Sequence, residues 1–206
     1  MFTLVIGGSA SGKSEYAERH VLSLSTPEKI SPQSGNRIYI ATMQPFGEDA
    51  RARIARHHAM RRDRGFVTIE RYTDLSGLKV PEGSNVLLED MGNLVANEMF
   101  SKKNVADEML PDKIHSGETH APSGTVTAVL TGVDHLLLQC AHLTIVTNEV
   151  FSDGKIYEKE TLHYLRELAA VNRTLAARAD HVVEVVCGIP NIITHTSQPE
   201  TAINPL

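Results

Sequence analysis

Short apolar runs alternate along the chain with longer segments of helical character. Apolar runs that are bounded by polar or turn residues predict buried strands, and they occur at residues 2–6, 37–42, 67–72, 85–89, 143–147 and 181–187. Helix-like segments lie between most of them, at residues 12–24, 48–62, 91–102, 125–141 and 158–179. This alternation predicts an α/β fold with a mostly parallel sheet and helices on both of its faces.

Three polar stretches interrupt the pattern. Residues 25–36 are rich in Ser, Pro and Gly, and residues 103–124 are polar and contain two prolines and two glycines. Both are predicted to be loops, and the tail over residues 194–206 is expected to fray. Because neither loop is long enough to act as a linker between domains, the sequence predicts one nucleotide-binding domain over residues 1–206.

Composition and charge narrow the class of protein. With 41% hydrophobic and 22% charged residues, the 206-residue chain is typical of a globular protein. Its net charge of -5 and pI of about 6.0 argue against general nucleic-acid binding. No apolar run approaches the roughly 18 residues of a membrane span. Cys140 and Cys187 lack metal-type spacing, and we expect reduced thiols in a cytoplasmic protein.

A phosphate-binding motif follows the first predicted strand. The pattern G-x-x-x-x-G-K-[ST] is formed by Gly7, Gly8, Ser9, Ala10, Ser11, Gly12, Lys13 and Ser14. A strand before it and a helix after it are the context that this motif requires. Backbone N–H groups and the helix N-terminus then bind a polyphosphate. We therefore predict a P-loop NTPase-like fold in which Lys13 contacts the outer phosphates and the Ser14 hydroxyl ligates Mg²⁺.

Other segments make the chain similar to one family of enzymes. The most specific segments are A-T-x-x-P at residues 41–45, R-I-x-x-H at 53–57 and V-T-N-E-V at 146–150. Shorter matches are Leu-Leu-Glu at 87–89, Val-Asn at 171–172 and Gly-Ile-Pro at 188–190. In these segments the chain resembles the adenosylcobinamide kinase / adenosylcobinamide-phosphate guanylyltransferase family of cobalamin biosynthesis.

The resemblance implies a bifunctional enzyme and its substrates. The aminopropanol hydroxyl of adenosylcobinamide is phosphorylated, and GMP is then transferred from GTP to that phosphate through a guanylylated histidine. The implied substrates are a corrinoid, GTP and ATP, and the resemblance leaves open which nucleotide donates the phosphoryl group. It also implies a homo-oligomer, a trimer. The histidine of the family motif corresponds to His57, with the adjacent His58 as the alternative.

The residues around His57 suit this chemistry. If residues 48–62 are helical, Arg53, His57 and Arg61 lie on one face because they are spaced four apart. Two guanidinium groups disfavour protonation of the imidazole and stabilise charge on an α-phosphate under attack. We expect His57 to be the nucleophile and both arginines to bind nucleotide. The alternative from the pattern alone is a solvated basic helix face.

Polar residues follow two of the predicted strands. Glu89 closes the run at 85–89, where a P-loop protein keeps a carboxylate that holds Mg²⁺ or accepts a proton. Asp90 is the alternative for either role, and a solvated acidic pair is the third interpretation. Asn148 follows the run at 143–147, and we expect it either to contact a ligand or to cap the next helix.

The sequence departs from the family pattern in three places. Residues 151–157 replace a Gly-rich stretch, residues 164–173 replace the F-R-D-x-x-G-x-x-N-Q pattern, and Arg62 replaces a proline. These changes lie away from the phosphate loop and bear more on the corrinoid than on the nucleotide. Two alternative functions are a small-molecule P-loop kinase without a covalent nucleotide step and a GTP-binding regulatory protein, although the chain has no guanine-reading N-K-x-D sequence.

Overall fold

The computed structural model describes residues 1–24, 37–44, 61, 63–101, 123–151, 154–155 and 157–193. The predicted loop at 25–36, nearly all of that at 103–124, and the tail at 194–206 lie outside these residues. So does the predicted helix at 48–62 apart from Arg61, and with it Arg53, His57 and His58. None of the helices in the described ranges combines the length and the apolar content that crossing a membrane requires.

Strands and helices alternate through most of the described chain. The strands are β1 (Phe2–Gly7), β2 (Arg37–Ala41), β3 (Phe66–Glu70), β4 (Asn85–Glu89), β5 (His142–Asn148), β6 (His181–Val186) and β7 (Ile189–Ile193). The helices are α1 (Lys13–Ser23), α2 (Met91–Ser101), α3 (Gly124–Gln139) and α4 (Lys159–Arg178), and a short 3-10 turn lies at Leu75–Gly77. The six predicted strands and the four predicted helices in these ranges are confirmed, with ends that differ by no more than two residues.

The strands form one sheet in the order β3-β2-β4-β5-β1-β6-β7. All neighbouring strands run parallel except β6 and β7, which are antiparallel. Strand β7 was not predicted, because its residues are exposed and include a proline. The strand predicted at 181–187 ends at Val186 instead, since Cys187 and Gly188 have φ of 51° and 79° and form a tight turn into β7.

Alternate residues of the strands face two separate apolar cores, so the predicted two-sided arrangement of helices is confirmed. Helix α1 covers the face on which Val5, Tyr39 and Leu87 lie. Helices α2, α3 and α4 cover the other face, which holds the larger core. We call these the α1 face and the three-helix face. The phosphate loop, Glu89 and Asn148 meet at the carboxyl edge of the parallel strands, where ligands bind in sheets of this kind.

Candidate active site

The phosphate loop connects β1 to α1, as predicted. Strand β1 ends at Gly7 and α1 begins at Lys13. The intervening turn is closed by the Ser11 N–H, which donates to the Gly8 carbonyl at 3.3 Å. Gly12 precedes the helix with φ of 90°, a left-handed conformation that favours glycine. Because Gly12 has no side chain to cap α1, the first N–H groups of the helix are suited to an anion at the loop.

Lys13 holds its charge over this loop. Its side chain is largely buried at the start of α1, and Nζ donates to the Gly8 carbonyl at 3.1 Å. A buried ammonium is stable only with polar or anionic partners. Its position therefore suits contact with the phosphates of a nucleotide, and Ser14 follows in the same helical turn.

The turn between β6 and β7 supports the phosphate loop from the side. The Gly188 N–H donates to the Ser11 carbonyl at 2.7 Å. A Cβ on Gly12 would lie 3.1 Å from the Gly188 Cα, and one on Gly7 would lie 2.6 Å from the Val185 carbonyl oxygen. Glycine at both loop positions thus permits close backbone approach. No role was predicted for Gly188 from the sequence; the available signal was a glycine directly after an apolar run, since glycine is typical of two-residue hairpin turns.

Glu89 ends β4 on the α1 face, and its carboxylate is held by a phenol. The Tyr39 hydroxyl donates to Glu89 Oε2 at 2.6 Å. Burial and the nearby Glu89 carboxylate raise the pKa of Tyr39, so the phenol remains a proton donor in this bond. No role was predicted for Tyr39 from the sequence. The available signal was a tyrosine in the middle of a buried strand, where its hydroxyl needs a partner.

Arg61 packs on the other side of the same tyrosine. Its Cζ lies 3.5 Å from the centroid of the Tyr39 ring, and its Nε lies 3.9 Å from Glu18 Oε1. The Arg64 guanidinium also pairs with Glu18. Of the three residues expected on the guanylyl-transfer helix, Arg61 alone is among the described residues. The structure places it on the α1 face, linked through Tyr39 to Glu89.

Asp90, the neighbour of Glu89, lies on the three-helix face and caps α2. Its Oδ1 accepts the Asn93 N–H at 2.6 Å, and its Oδ2 accepts Asn148 Nδ2 at 3.2 Å. The Thr42 hydroxyl contacts the backbone N–H and C=O of Asp90, at 2.8 Å each. Burial, more than any other cause, raises the pKa of the Asp90 carboxyl. Both carboxylate oxygens of Asp90 therefore accept hydrogen bonds within the local structure, whereas Glu89 accepts the Tyr39 hydrogen bond at Oε2.

Asn148 links the end of β5 to Asp90, and does not cap the following helix. The N-cap of α4 is Glu158, so the capping role considered for Asn148 is wrong. Its carbonyl accepts from Asn172 Nδ2 at 3.3 Å, and the Asn172 Oδ1 accepts the buried Thr147 hydroxyl at 2.7 Å. Asn172 thus anchors the carboxyl end of β5. This explains in physical terms why an asparagine suits that position in α4.

Tyr164 completes the polar cluster around Asp90, and no role was predicted for it from the sequence. Its hydroxyl donates to the Gly92 carbonyl at 3.4 Å. Burial and the Asp90 carboxylate raise the pKa of Tyr164 to about 12. A Cβ on Gly92 would lie 3.0 Å from both the Tyr164 hydroxyl and Asn148 Nδ2, so any other residue would require these two side chains to shift by a few tenths of an ångström. Tyr164 lies in the stretch that departs from the family pattern.

Comparison with known proteins extends over the whole of this site. A model of the CobU family, described as cobinamide kinase / cobinamide phosphate guanyltransferase, matches residues 3–193. The chain is 32% identical over 194 residues to the bifunctional adenosylcobalamin biosynthesis protein CobU of Escherichia coli (strain K12), covering 92% of this chain and 97% of that protein. It is 31% identical over 201 residues, with the same two coverages, to the protein of that name from Salmonella typhimurium (strain LT2).

Proposed function

The chain belongs to the cobinamide kinase / cobinamide phosphate guanyltransferase family, and from this we propose that it catalyses both reactions in cobalamin biosynthesis. It phosphorylates the aminopropanol hydroxyl of adenosylcobinamide and then transfers GMP from GTP to the product. The observation that carries the proposal is a complete phosphate loop within a family match over residues 3–193. The family match favours this bifunctional enzyme over a kinase without a nucleotidyl step and over a GTP-binding regulatory protein.

In the kinase step, the phosphate loop binds the nucleotide and Lys13 stabilises the transferred group. The corrinoid hydroxyl attacks the γ-phosphorus, a new P–O bond forms, and the bond to the β-phosphate oxygen breaks. The backbone N–H groups of the loop and the Lys13 ammonium compensate the charge that develops on the leaving phosphate. Glu89 either holds the metal or accepts the proton of the hydroxyl. Either ATP or GTP serves as the phosphoryl donor in this proposal.

Mg²⁺ fits the donor set of the site. The Ser14 hydroxyl and the Glu89 carboxylate are oxygen ligands, which Mg²⁺ prefers together with nucleotide phosphates and water. Within the ranges that the structure describes, no group of three or more His, Cys, Asp or Glu side chains is arranged to hold a metal ion. When bound, Mg²⁺ supplies positive charge to the β- and γ-phosphates.

In the guanylyl step, we assign the nucleophile to His57. Its neutral imidazole attacks the α-phosphorus of GTP, a P–N bond forms, and pyrophosphate leaves. The phosphate of the corrinoid then attacks the same phosphorus, the P–N bond breaks, and the imidazole is regenerated. Division of the transfer into two steps is nucleophilic catalysis. Arg53 and Arg61 stabilise the charge on the α-phosphate, and the contact of Arg61 with Tyr39, the hydrogen-bond partner of Glu89, supports this role.

Three further properties belong to the proposal. The chain acts as one domain, it works in the cytoplasm where both nucleotides are supplied, and it assembles as a homo-oligomer, a trimer. The free thiols of Cys140 and Cys187 are consistent with a reducing compartment. The trimer rests on the family resemblance alone.

Intact-protein mass spectrometry tests the covalent step. After incubation with GTP and Mg²⁺, the wild-type protein should gain the mass of one GMP group. His57→Ala should lose both this adduct and guanylyl transfer but keep kinase activity, because phosphoryl transfer depends on the phosphate loop. His58→Ala is the matched control and should keep the adduct. An unlabelled wild type, or an adduct that is lost only with His58→Ala, would contradict the assignment.

A further inference from the structure

Tyr39 is a buried tyrosine whose hydroxyl ends at the carboxyl edge of the sheet. It lies on β2, 1% exposed, within the smaller apolar core of the α1 face. Phenylalanine would fill the same space without introducing a polar atom into that core. The hydroxyl instead meets Glu89 Oε2 at 2.6 Å, across the parallel pairing of β2 with β4. This bond joins two strands whose partner residues are 50 positions apart in the sequence.

The ring of Tyr39 is fixed from two sides. Arg61 lies over its face at 3.5 Å, and Phe66 meets it edge-on with a centroid distance of 6.1 Å and an interplanar angle of 88°. Both contacts are favourable for an aromatic ring. A ring held in this way directs its hydroxyl to one point. Glu89 has one more rotatable bond than aspartate, so a fixed donor is what confines its carboxylate to a single orientation.

We propose that Tyr39 is a positioning residue for phosphoryl transfer, which holds the Glu89 carboxylate through Oε2 and leaves Oε1 for the metal or the substrate proton. The inference rests on the role proposed above for Glu89. A hydrogen bond from a neighbouring group commonly orients a metal-linked carboxylate and contributes 10- to 100-fold to metal affinity or activity. Tyr39 acts through Glu89 and touches neither nucleotide nor corrinoid.

Tyr39→Phe is the direct test, because it removes the hydroxyl and keeps the ring. We expect kcat of the kinase step to fall about tenfold, with the nucleotide KM at saturating Mg²⁺ unchanged. A measurement that does not depend on activity is calorimetric titration of the protein with a non-hydrolysable GTP analogue over a range of Mg²⁺ concentrations. The Mg²⁺ concentration needed for half of the full affinity should rise about tenfold.

Tyr72→Phe is the matched control. The Tyr72 hydroxyl also donates to a carboxylate oxygen, Glu70 Oε2, at 2.6 Å, but this pair lies at the exposed end of the edge strand β3. Its removal should leave kcat and the Mg²⁺ dependence unchanged. Equal effects of Tyr72→Phe and Tyr39→Phe would overturn the inference, since a general loss of a phenol–carboxylate bond would then explain both.

Glu89→Gln separates the inference from the proposed function. If Glu89→Gln leaves the kinase rate and the Mg²⁺ dependence unchanged, the role of Glu89 is wrong and that of Tyr39 falls with it. If Glu89→Gln is impaired and Tyr39→Phe is not, only the inference about Tyr39 is wrong. The double variant Tyr39→Phe/Glu89→Gln removes the phenol hydroxyl together with the carboxylate charge, so no ionised carboxylate is left without its donor if the single variant folds poorly. It should be no slower than Glu89→Gln alone, and a further tenfold loss would overturn the inference.

Discussion

Glu89 and Asp90 are adjacent in the chain, yet the two faces of the sheet give them different surroundings. Glu89 lies on the α1 face, where Tyr39 holds one of its oxygens and Arg61 lies on the far side of the phenol ring. Asp90 lies on the three-helix face, where both of its oxygens accept hydrogen bonds from α2 and β5. Glu89 ends a series of contacts that runs from Arg61 through Tyr39, whereas Asp90 caps the helix α2.

This difference indicates that the two faces of the sheet have different roles. The three-helix face holds the larger apolar core and is expected to supply most of the stability. The α1 face holds a smaller core, but its helix begins at the phosphate loop and its strands present Tyr39 and Glu89. Substitutions at the carboxyl edge of the α1 face should therefore affect turnover more than stability. Equivalent changes on the three-helix face should affect stability more than turnover.

The largest expected effect is that of Lys13→Ala. The substitution removes the ammonium that lies over the phosphate loop, so both reactions should lose at least about 10³-fold in kcat. The free energy of unfolding should change little, because the side chain contributes charge at the loop and little apolar packing. Kinase and guanylyl-transfer assays, with urea unfolding of the same preparation, measure the two effects.

Lys79→Ala is the control for Lys13→Ala, since it removes an exposed ammonium in the loop before β4. It should leave both reactions at the wild-type rate. Near-normal turnover in Lys13→Ala would remove the phosphate loop from the mechanism. A large loss of stability in that variant would break the proposed division between the two faces.

The paired substitutions Glu89→Gln and Asp90→Asn should give the next largest effect, and they differ in kind. Glu89→Gln should lower kcat of the kinase step by about 10²-fold, because it removes the charge that holds Mg²⁺ or accepts the proton. Asp90→Asn should change kcat by less than about tenfold. Its free energy of unfolding should change by no more than about 1 kcal/mol, since Asn is also a good N-cap.

The same assays can show that the roles of Glu89 and Asp90 are the reverse of those proposed. If Asp90→Asn lowers kcat about 10²-fold and Glu89→Gln does not, Asp90 is the metal-linked carboxylate and the choice made here is wrong. Its position directly after Glu89, at the same end of β4, makes this a meaningful alternative. If both variants lose activity equally, the two faces share the function at this edge.

Local patterns in the sequence were enough to predict the strands, the helices and the phosphate loop. Apolar runs and the G-x-x-x-x-G-K-[ST] motif act over a few residues, so no knowledge of the fold is needed to identify them. The capping role of Asp90 was also accessible, because an aspartate directly before a predicted helix is a typical N-cap. The exposed strand β7 was missed because it lacks the apolar–polar alternation of a half-buried strand.

Contacts between distant parts of the chain could not be predicted in the same way. The Tyr39–Glu89 bond depends on β2 and β4 being neighbours in register, with Tyr39 paired to Leu87 and Ala41 to Glu89. Neither strand's sequence specifies that pairing. The contact of Gly188 with the phosphate loop likewise requires β6 to lie beside β1. The roles of Arg53 and His57 stay predictions.

The smallest expected effect concerns the opposite edge of the α1 face. His20 lies near the end of α1, stacks on Tyr16 and contacts the Thr3 hydroxyl at 3.3 Å. Burial lowers the pKa of His20 below 6.5, and so do His181 and His142, at the amino ends of β6 and β5. The α1 face thus has titratable groups at both edges, and only those at the carboxyl edge are expected to affect turnover.

The sign of the pH effect follows from that direction. Because the folded protein binds a proton at His20 less readily than the unfolded chain does, its contribution to stability is complete above pH 6.5 and is lost as the pH falls toward the lower, folded pKa. His20→Gln should flatten the decrease in the free energy of unfolding between pH 7.5 and 5.5, by under about 1 kcal/mol because the ring is half exposed. Its kcat at pH 7.5 should equal that of the wild type. Urea unfolding at the two pH values measures the change in the free energy of unfolding with pH. If that change is the same in His20→Gln as in the wild type, His20 is not its source. A loss of kcat would show that the amino edge of the α1 face also serves catalysis.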